Sequence, residues 1–408
     1  MKKIILLLCV ICTFLPATLY TQTLPGSVGD AIENEESFSF PVDQLGSDAG
    51  EPLPVEDEFF RGKVTKIITE HEDPGYGSGT NTEVFIQDLE VIIGEGIEKG
   101  KVVLVSNEVP LKDRDVKGLR VGDQLILGKS TIADQAQYYI SDSYRLNSLW
   151  FVLAIFIGIT ILFTKFQGLK AFAGLSISFL VIGWFIVPYI IHGGNPLLVS
   201  LIGTTVIAAT SIFIAHGFHI RTSIAFVGTI ISIGIALGLS YLFVHVTHLF
   251  GMGSEDAFYL QFAPGTSINL RGLLLGGIII GVMGILDDIT TAQAAVVEQI
   301  YQANTSLSAG ELYKRGSMVG REHILSLVNT LVLAYTGASL PLILLFKIYE
   351  RPAWVTLNSE IIMEEIVRML IGSITLIIAV PITTRIAAEY YYRKKPTIRN
   401  NILNQHTH

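Results

Sequence analysis

Cysteine is nearly absent from this chain: 408 residues hold two, Cys9 and Cys12, both in the first hydrophobic segment. Neither follows a small residue, so a lipoprotein-type processing site is excluded. If that segment is removed, no disulfide can form, and cysteine usage is silent about compartment. Charge is scarce too. Acidic and basic residues make up 16% of the chain against 50% hydrophobic residues, and the mean hydropathy is +0.52. The net charge of −8 is a property of the first third of the sequence, which offers no basic surface for nucleic acid. There is no HExxH, no GxSxG and no P-loop, and Ser, His and Asp do not fall at nucleophile–base spacing. Enzymatic readings therefore have no motif to stand on, and nothing names a cofactor.

What is present divides along the chain. Residues 1–23 carry Lys2 and Lys3, an apolar run over 4–15, then Pro16 and small or polar residues. That order reads as a secretory signal, cleaved or kept as an anchor. Residues 24–58 form an acidic linker with Glu33, Glu35, Glu36, Glu56, Asp57 and Glu58 and no apolar period, as solvated segments have. From Phe59 short β-rich runs appear at 63–69, 84–89, 101–106 and 124–127, with 138–140 as a fifth. Glycine turns separate them, including the stretch from Gly118 to Asp123 before the fourth. This predicts a small all-β, OB-like barrel over residues 59–147. It is acidic and lacks interleaved basic and aromatic residues, so oligonucleotide binding is not implied.

Beyond it, residues 148–388 read as an α-helical polytopic membrane domain of seven spans. They cover about 149–164, 171–191, 196–215, 223–250, 270–297, 323–346 and 366–388, with a tail over 389–408. Alternate loops hold Lys165 and Lys170, then Arg221, then Lys314, Arg315 and Arg321, and the tail adds Arg393, Lys394, Lys395 and Arg399. The opposite loops hold only Arg271, Lys347 and Arg351. The asymmetry places the barrel outside the cytoplasm and the tail inside it, as expected of a multi-pass plasma-membrane protein.

The fifth span is the most informative. Its uninterrupted apolar part, 272–286, is about 15 residues, or roughly 22 Å of helix, while a bilayer core is about 30 Å thick. It crosses only if Asp287, Asp288 or the small polar residues beyond them enter the membrane. A carboxylate at the bilayer centre costs on the order of 2.5–3.5 kcal/mol, so it is normally paired, hydrated or used. If the helix continues, Asp287, Thr291, Ala294 and Glu298 share a face. If it ends at Leu286, the two acids cap a following helix in water. Gly272, Gly276, Gly277, Gly281 and Gly284 form a small-residue pattern that suits close packing or a sliding helix. Pro341 and Pro381 are expected to kink the last two spans.

Several stretches together carry a resemblance. They are Asn195-Pro196-Leu197-Leu198, His216-Gly217-Phe218, Asn269-Leu270-Arg271-Gly272-Leu273-Leu274 and Asn329-Thr330-Leu331-Val332-Leu333-Ala334-Tyr335. Ser339-Leu340-Pro341-Leu342, Leu357-Asn358-Ser359-Glu360 and Val380-Pro381 complete the set. In that order and spacing they resemble the YibE/F-like family of bacterial multi-pass membrane proteins, from about Phe60 to Ala388. The resemblance implies the multi-pass topology and matches the family's acid in the fifth span to Asp288, with Asp287 an addition. Glu322, after Gly320-Arg321, stands where relatives carry Asp. It names no substrate.

Asp288 is expected to face a hydrated interior and to be required for activity, and Asn329, inside the sixth span, is either interhelical glue or the hydrogen-bond partner of Asp288 in a polar site. His245 and His248, with Glu255 and Asp256 soon after, do not make a known zinc pattern, and no metal is expected. Residues 305–315 read as a turn and an interfacial helix carrying Lys314 and Arg315. These features favour a transporter or permease using intramembrane carboxylates. The other reading is a non-transporting scaffold or envelope-assembly factor acting through its barrel. The expected partners are the lipid bilayer, an extracytoplasmic protein at the barrel and, as an open choice, a second copy of the chain. Reporter fusions at Lys129 and Asn400 are expected to report opposite compartments; the same compartment for both rejects this topology.

Overall fold

The computed structural model describes residues 58–73, 83–132, 135–262 and 267–394. The expected signal or anchor, the acidic linker up to residue 57 and the tail beyond 394 lie outside the described residues. The chain divides into two compact units between Arg145 and Leu146.

The first unit is a nearly closed barrel of five antiparallel strands: β1 (Glu58–Asp73), β2 (Val84–Ile93), β3 (Val102–Pro110), β4 (Gln124–Ile132) and β5 (Gln135–Ser143). Their order is β3-β2-β1-β4-β5, and β3 and β5 approach across the remaining seam. Order and closure are those of the OB-like barrel expected from the turns. All five expected strands are present, each longer than its apolar run. β1 is long enough to pair with both β2 and β4, and register shifts at Val64/Lys66 and Ile67/Thr69 bend it between them. Burial alternates without a break along β2, so Leu89, Val91 and Ile93 meet Val64, Val103, Val105, Leu125 and Leu127 in the interior. Gly62 sits under this cluster, where an added Cβ would lie 2.6 Å from Val91. One inward position is polar. Gln87 accepts the Leu119 N–H at 2.8 Å and donates to the Leu119 carbonyl at 3.1 Å, which clips the 111–119 connection to the barrel.

The turn between β2 and β3 is fastened by Glu98. Its carboxylate accepts from Lys129 at 2.7 Å, from Lys101 at 3.1 Å and from the Tyr138 hydroxyl. Lys129 first, then Tyr138 and Lys101, hold the Glu98 carboxyl down from its ordinary 4.5 to about 2.

The second unit is helical: α1 (Leu146–Thr164), α2 (Phe166–Ile191), α3 (Pro196–His216), α4 (Ile220–Val246), α5 (Glu255–Gln261), α6 (Leu270–Ala303), α7 (Ala309–Ala338), α8 (Leu340–Ile348), α9 (Ala353–Asn358) and α10 (Glu360–Arg393). Six of these are long and apolar enough to cross a membrane, or seven if the bent pair α7–α8 is one span. The expected change of direction at Pro341 is present, and one expectation needs correction. The sixth span is broken, with α7 and α8 meeting at 53° around Ser339, because Pro341 begins a new helix instead of bending the old one. The expected interfacial helix near Lys314 is not separate. Ser308 and Glu311 form a capping box, and a helix capped there runs unbroken into the span. At Pro381, by contrast, α10 stays one helix.

The centre of the bundle is α4, α6 and α10, which pack on one another, with α7 against α10 and α6, α3 against α6, and α2 against α3. α1 lies outside, against α2, and buries no residue. Both α6 and α10 have 34 residues, about 51 Å of helix and well beyond a bilayer core of about 30 Å. Their overhang is capped by a second apolar cluster of Ala294, Val297, Leu312, Ala387 and Tyr391. At the opposite end the chain after α4 turns over the start of α10. Glu360 accepts the N–H groups of Phe250, Gly251 and Met252, and Glu364 accepts that of Gly253. Gly251 is required: its φ is +84° and a Cβ would lie 2.3 Å from the Leu270 carbonyl.

The Glu98 carboxyl generates a pH prediction for the barrel expressed alone as residues 58–145. Because its folded-state pKa is depressed, its contribution to stability is complete above about 4.5 and is lost as pH falls through about 2. Circular-dichroism melts should show that loss across this window and a flatter profile for Glu98→Gln; identical profiles would remove Glu98 as the fastening group.

Candidate functional site

The helix carrying the two acids continues. α6 runs through Asp287 and Asp288 to Ala303, so the acids are not at a helix start. Asp287 is 17 residues beyond Leu270, about 26 Å of helix, within the thickness of a bilayer core. It faces a crevice of about 790 Å³ between α1, α2, α3 and α6, lined also by Thr164, Ser178, Thr204, Ser211 and Met283. The crevice opens at the end of the bundle that carries Lys170, His216, His219 and Arg221, all of which line it.

Each wall has a local cause. On α3, Ser200, Thr204 and Ser211 fall four and seven residues apart, on one face toward α6. The Ser211 hydroxyl donates to Asp287 Oδ2 at 2.5 Å. Asp287 Oδ1 is enclosed and without a hydrogen-bond partner, as is the Oγ1 of Thr204. Above them α3 and α6 close: a Cβ on Gly276 would meet the Ser200 hydroxyl at 2.4 Å. On α2 the helix widens into a π-turn over Ile182–Ile186 where Ile182 lines the crevice, a distortion frequent at functional sites.

The remaining sequence candidates fall elsewhere. Asp288 lines the same crevice and is exposed. Asn329 is also exposed, and the expected Asp288–Asn329 bond is not formed among the described residues. The reason is angular: Ile289, Ala292, Gln293 and Val296 turn toward α7, while Asp287 lies on the opposite side of α6 and Asp288 about a quarter turn from them, on the crevice. Glu322 shares that shallow depression against α7. Glu298 sits further along, pairing with Arg221 at 3.4 Å and accepting from the Tyr391 hydroxyl at 3.0 Å. The glycines do not form one packed stripe. Gly272 and Gly276 are buried, whereas Gly277 and Gly284 have nothing within 4 Å of an added Cβ, and Gly281 only the Tyr335 hydroxyl at 3.8 Å. Pro341 lies at the α7–α8 break, beside a second cavity of about 530 Å³ lined by Tyr335, Lys347, Arg351 and Glu365.

Sequence reasoning missed two groups. Ser211 could have been found only from the small-polar spacing of α3. Gln293 is buried where α6, α7 and α10 meet, donating to the Gly316 carbonyl at 2.9 Å and to Thr384 at 2.7 Å. Beside it Thr229 and Thr290 join α4 to α6 at 2.8 Å. A polar residue on a helix gives no sign of which neighbour it meets. Among the described residues, no group of three or more His, Cys, Asp or Glu side chains is placed to hold a metal ion.

A bundle of membrane-length helices with a crevice reaching two carboxylates and, earlier in the chain, an OB-like barrel is an integral, multi-pass membrane protein. Within that class the match is specific: the chain belongs to the YibE/F-like family, whose description, YibE/F-like protein, fits residues 152–393. That part covers most of α1 and all of α2–α10, and the barrel lies before it. No curated protein and no solved structure matches the chain.

Gln293→Leu keeps the volume but removes both bonds by which α6 is tied to α7 and α10. It should cost about 1–2 kcal/mol and lower the melting temperature of the purified protein in detergent. Asn329→Ala should leave that temperature unchanged; equal effects would contradict the packing described.

Proposed function

We propose that this protein is a transporter or permease of the plasma membrane, with Asp287 as the essential polar group of its pathway. The basic end of the bundle faces the cytoplasm, because lysine and arginine concentrate there, and the barrel faces outside. The observation that carries the reading is a carboxylate oxygen enclosed without a partner, at membrane depth, beside a crevice of about 790 Å³. Membrane-buried acids of this kind mark solute and ion pathways. The closed α3–α6 contact at Ser200 and Gly276 blocks the way onward, as alternating access requires of one state. The π-turn of α2 and the bent pair α7–α8 supply places where helices can change shape. Arg221, which both lines the crevice and pairs with Glu298, holds the mouth.

The solute has to be found by experiment. Purified protein is screened for compounds that raise its melting temperature, and each hit is tested for uptake into proteoliposomes. Uptake of at least one hit is expected, falling at least about tenfold, or 1.4 kcal/mol in barrier, in Asp287→Asn and far less in Asp288→Asn. If no compound enters, the barrel-centred scaffold becomes the better reading.

A further inference from the structure

Building on the transport reading, the geometry points to the coupling ion: we propose that Asp287 is a proton-binding site, loaded and unloaded through the crevice, with Ser211 as its positioning residue. Three observations carry this. Asp287 has no cation within ion-pair distance among the described residues, and Arg221, on the same crevice, pairs with Glu298 instead. An ionised carboxylate can accept about four hydrogen bonds, yet Asp287 receives one, from Ser211, and its Oδ1 is enclosed with none. A carboxylate left so bare in the membrane is stabilised by taking up a charge, and a proton is the only cation that needs no further ligands.

The Ser211 contact suits both states. With Asp287 ionised, the hydroxyl donates to Oδ2. With Asp287 protonated on Oδ2, the carboxyl donates to the hydroxyl, and the 2.5 Å separation serves either direction. The step is a plain proton transfer: a hydronium ion in the crevice gives its proton to Asp287 and becomes water, and the reverse occurs on release. A dehydrated divalent cation takes about six or more oxygen ligands. Among the described residues the one side chain hydrogen-bonded to Asp287 is Ser211, and no group of three or more His, Cys, Asp or Glu side chains is placed to hold a metal ion.

The crevice is lined at one end by basic residues. The charged and titratable groups on the crevice are Lys170 from α2, His216 from α3, His219 and Arg221 at the start of α4, and Asp288 on α6 itself; α1 presents Thr160 and Thr164. Thr204 supplies an independent sign that the inner crevice takes a polar occupant, being fully buried with its hydroxyl unpartnered. The crevice runs from Asp287 to the basic residues at this end, and α3 and α6 approach closely at Ser200 and Gly276.

The test needs no solute. Full-length protein in lipid is followed by infrared difference spectroscopy between about pH 4 and pH 9, spanning the range over which displaced carboxyls titrate, with the carbonyl stretch of a protonated carboxyl as the readout. A titrating band is expected in the natural protein and in Asp288→Asn, lost in Asp287→Asn and retained at a displaced frequency in Asp287→Glu. The last variant guards against loss by misfolding. Ser211→Ala should move the midpoint by about one pH unit, and sodium or magnesium at fixed pH should leave the band unchanged. A band that survives Asp287→Asn, that never forms in the natural protein, or that sodium or magnesium abolishes overturns the proposal. If the band behaves as expected but no solute is ever taken up, the proton site stands and the transport reading falls.

Discussion

Lipid tails are as apolar as leucine, so burying leucine between helices is not what holds a membrane bundle together. Close backbone approach and a few buried polar bonds must do it. The bundle depends on this at α4, α6, α7 and α10. A Cβ on Gly228 would meet the Thr383 hydroxyl at 2.5 Å, one on Gly316 would meet Val297 at 2.9 Å, and one on Gly320 would meet Val380 at 2.5 Å. Gln293 then ties three of the four helices through its two donated bonds. Such bonds contribute about 1–2 kcal/mol at most, so it is their combination with tight steric fit that fixes the centre.

The other half of the bundle is built differently. α1 buries nothing, and the first sixteen residues of α2 bury only Gly168 and Gly174. α3 presents small hydroxyl side chains toward α6, which leave space where larger residues would have filled it. The crevice therefore runs along the boundary between a tight half and a loose half. Asp287 belongs to a helix of the tight half and faces the loose one.

The architecture was readable because its signals are long and periodic. Continuous apolar runs marked the spans, and alternation between glycine turns marked the strands. The helix through Asp287 was not decidable in the same way, since Asp and Thr serve both as caps and as tolerated helix residues. Nor was the choice between two adjacent acids. Neighbours on a helix point about 100° apart, and which one meets a partner depends on Ser211, 76 residues away. The glycine pattern misled for the same reason: Gly276 and Gly277 are consecutive, yet one touches Ser200 and the other nothing. Pro341 marked a change of direction, but whether it bends or ends a helix depends on the carbonyls preceding it. The expected signal, linker and tail bear on segments outside the described residues.

The carboxylates of Glu360 and Glu364 occupy a cup of four successive backbone N–H groups after α4. Such cups commonly receive a free anion; here the chain supplies its own. The α4–α6 connection is thereby fastened to the first turns of α10, about 110 residues further on. These three helices are joined at that end as well as along their faces, and together they form the frame of the bundle.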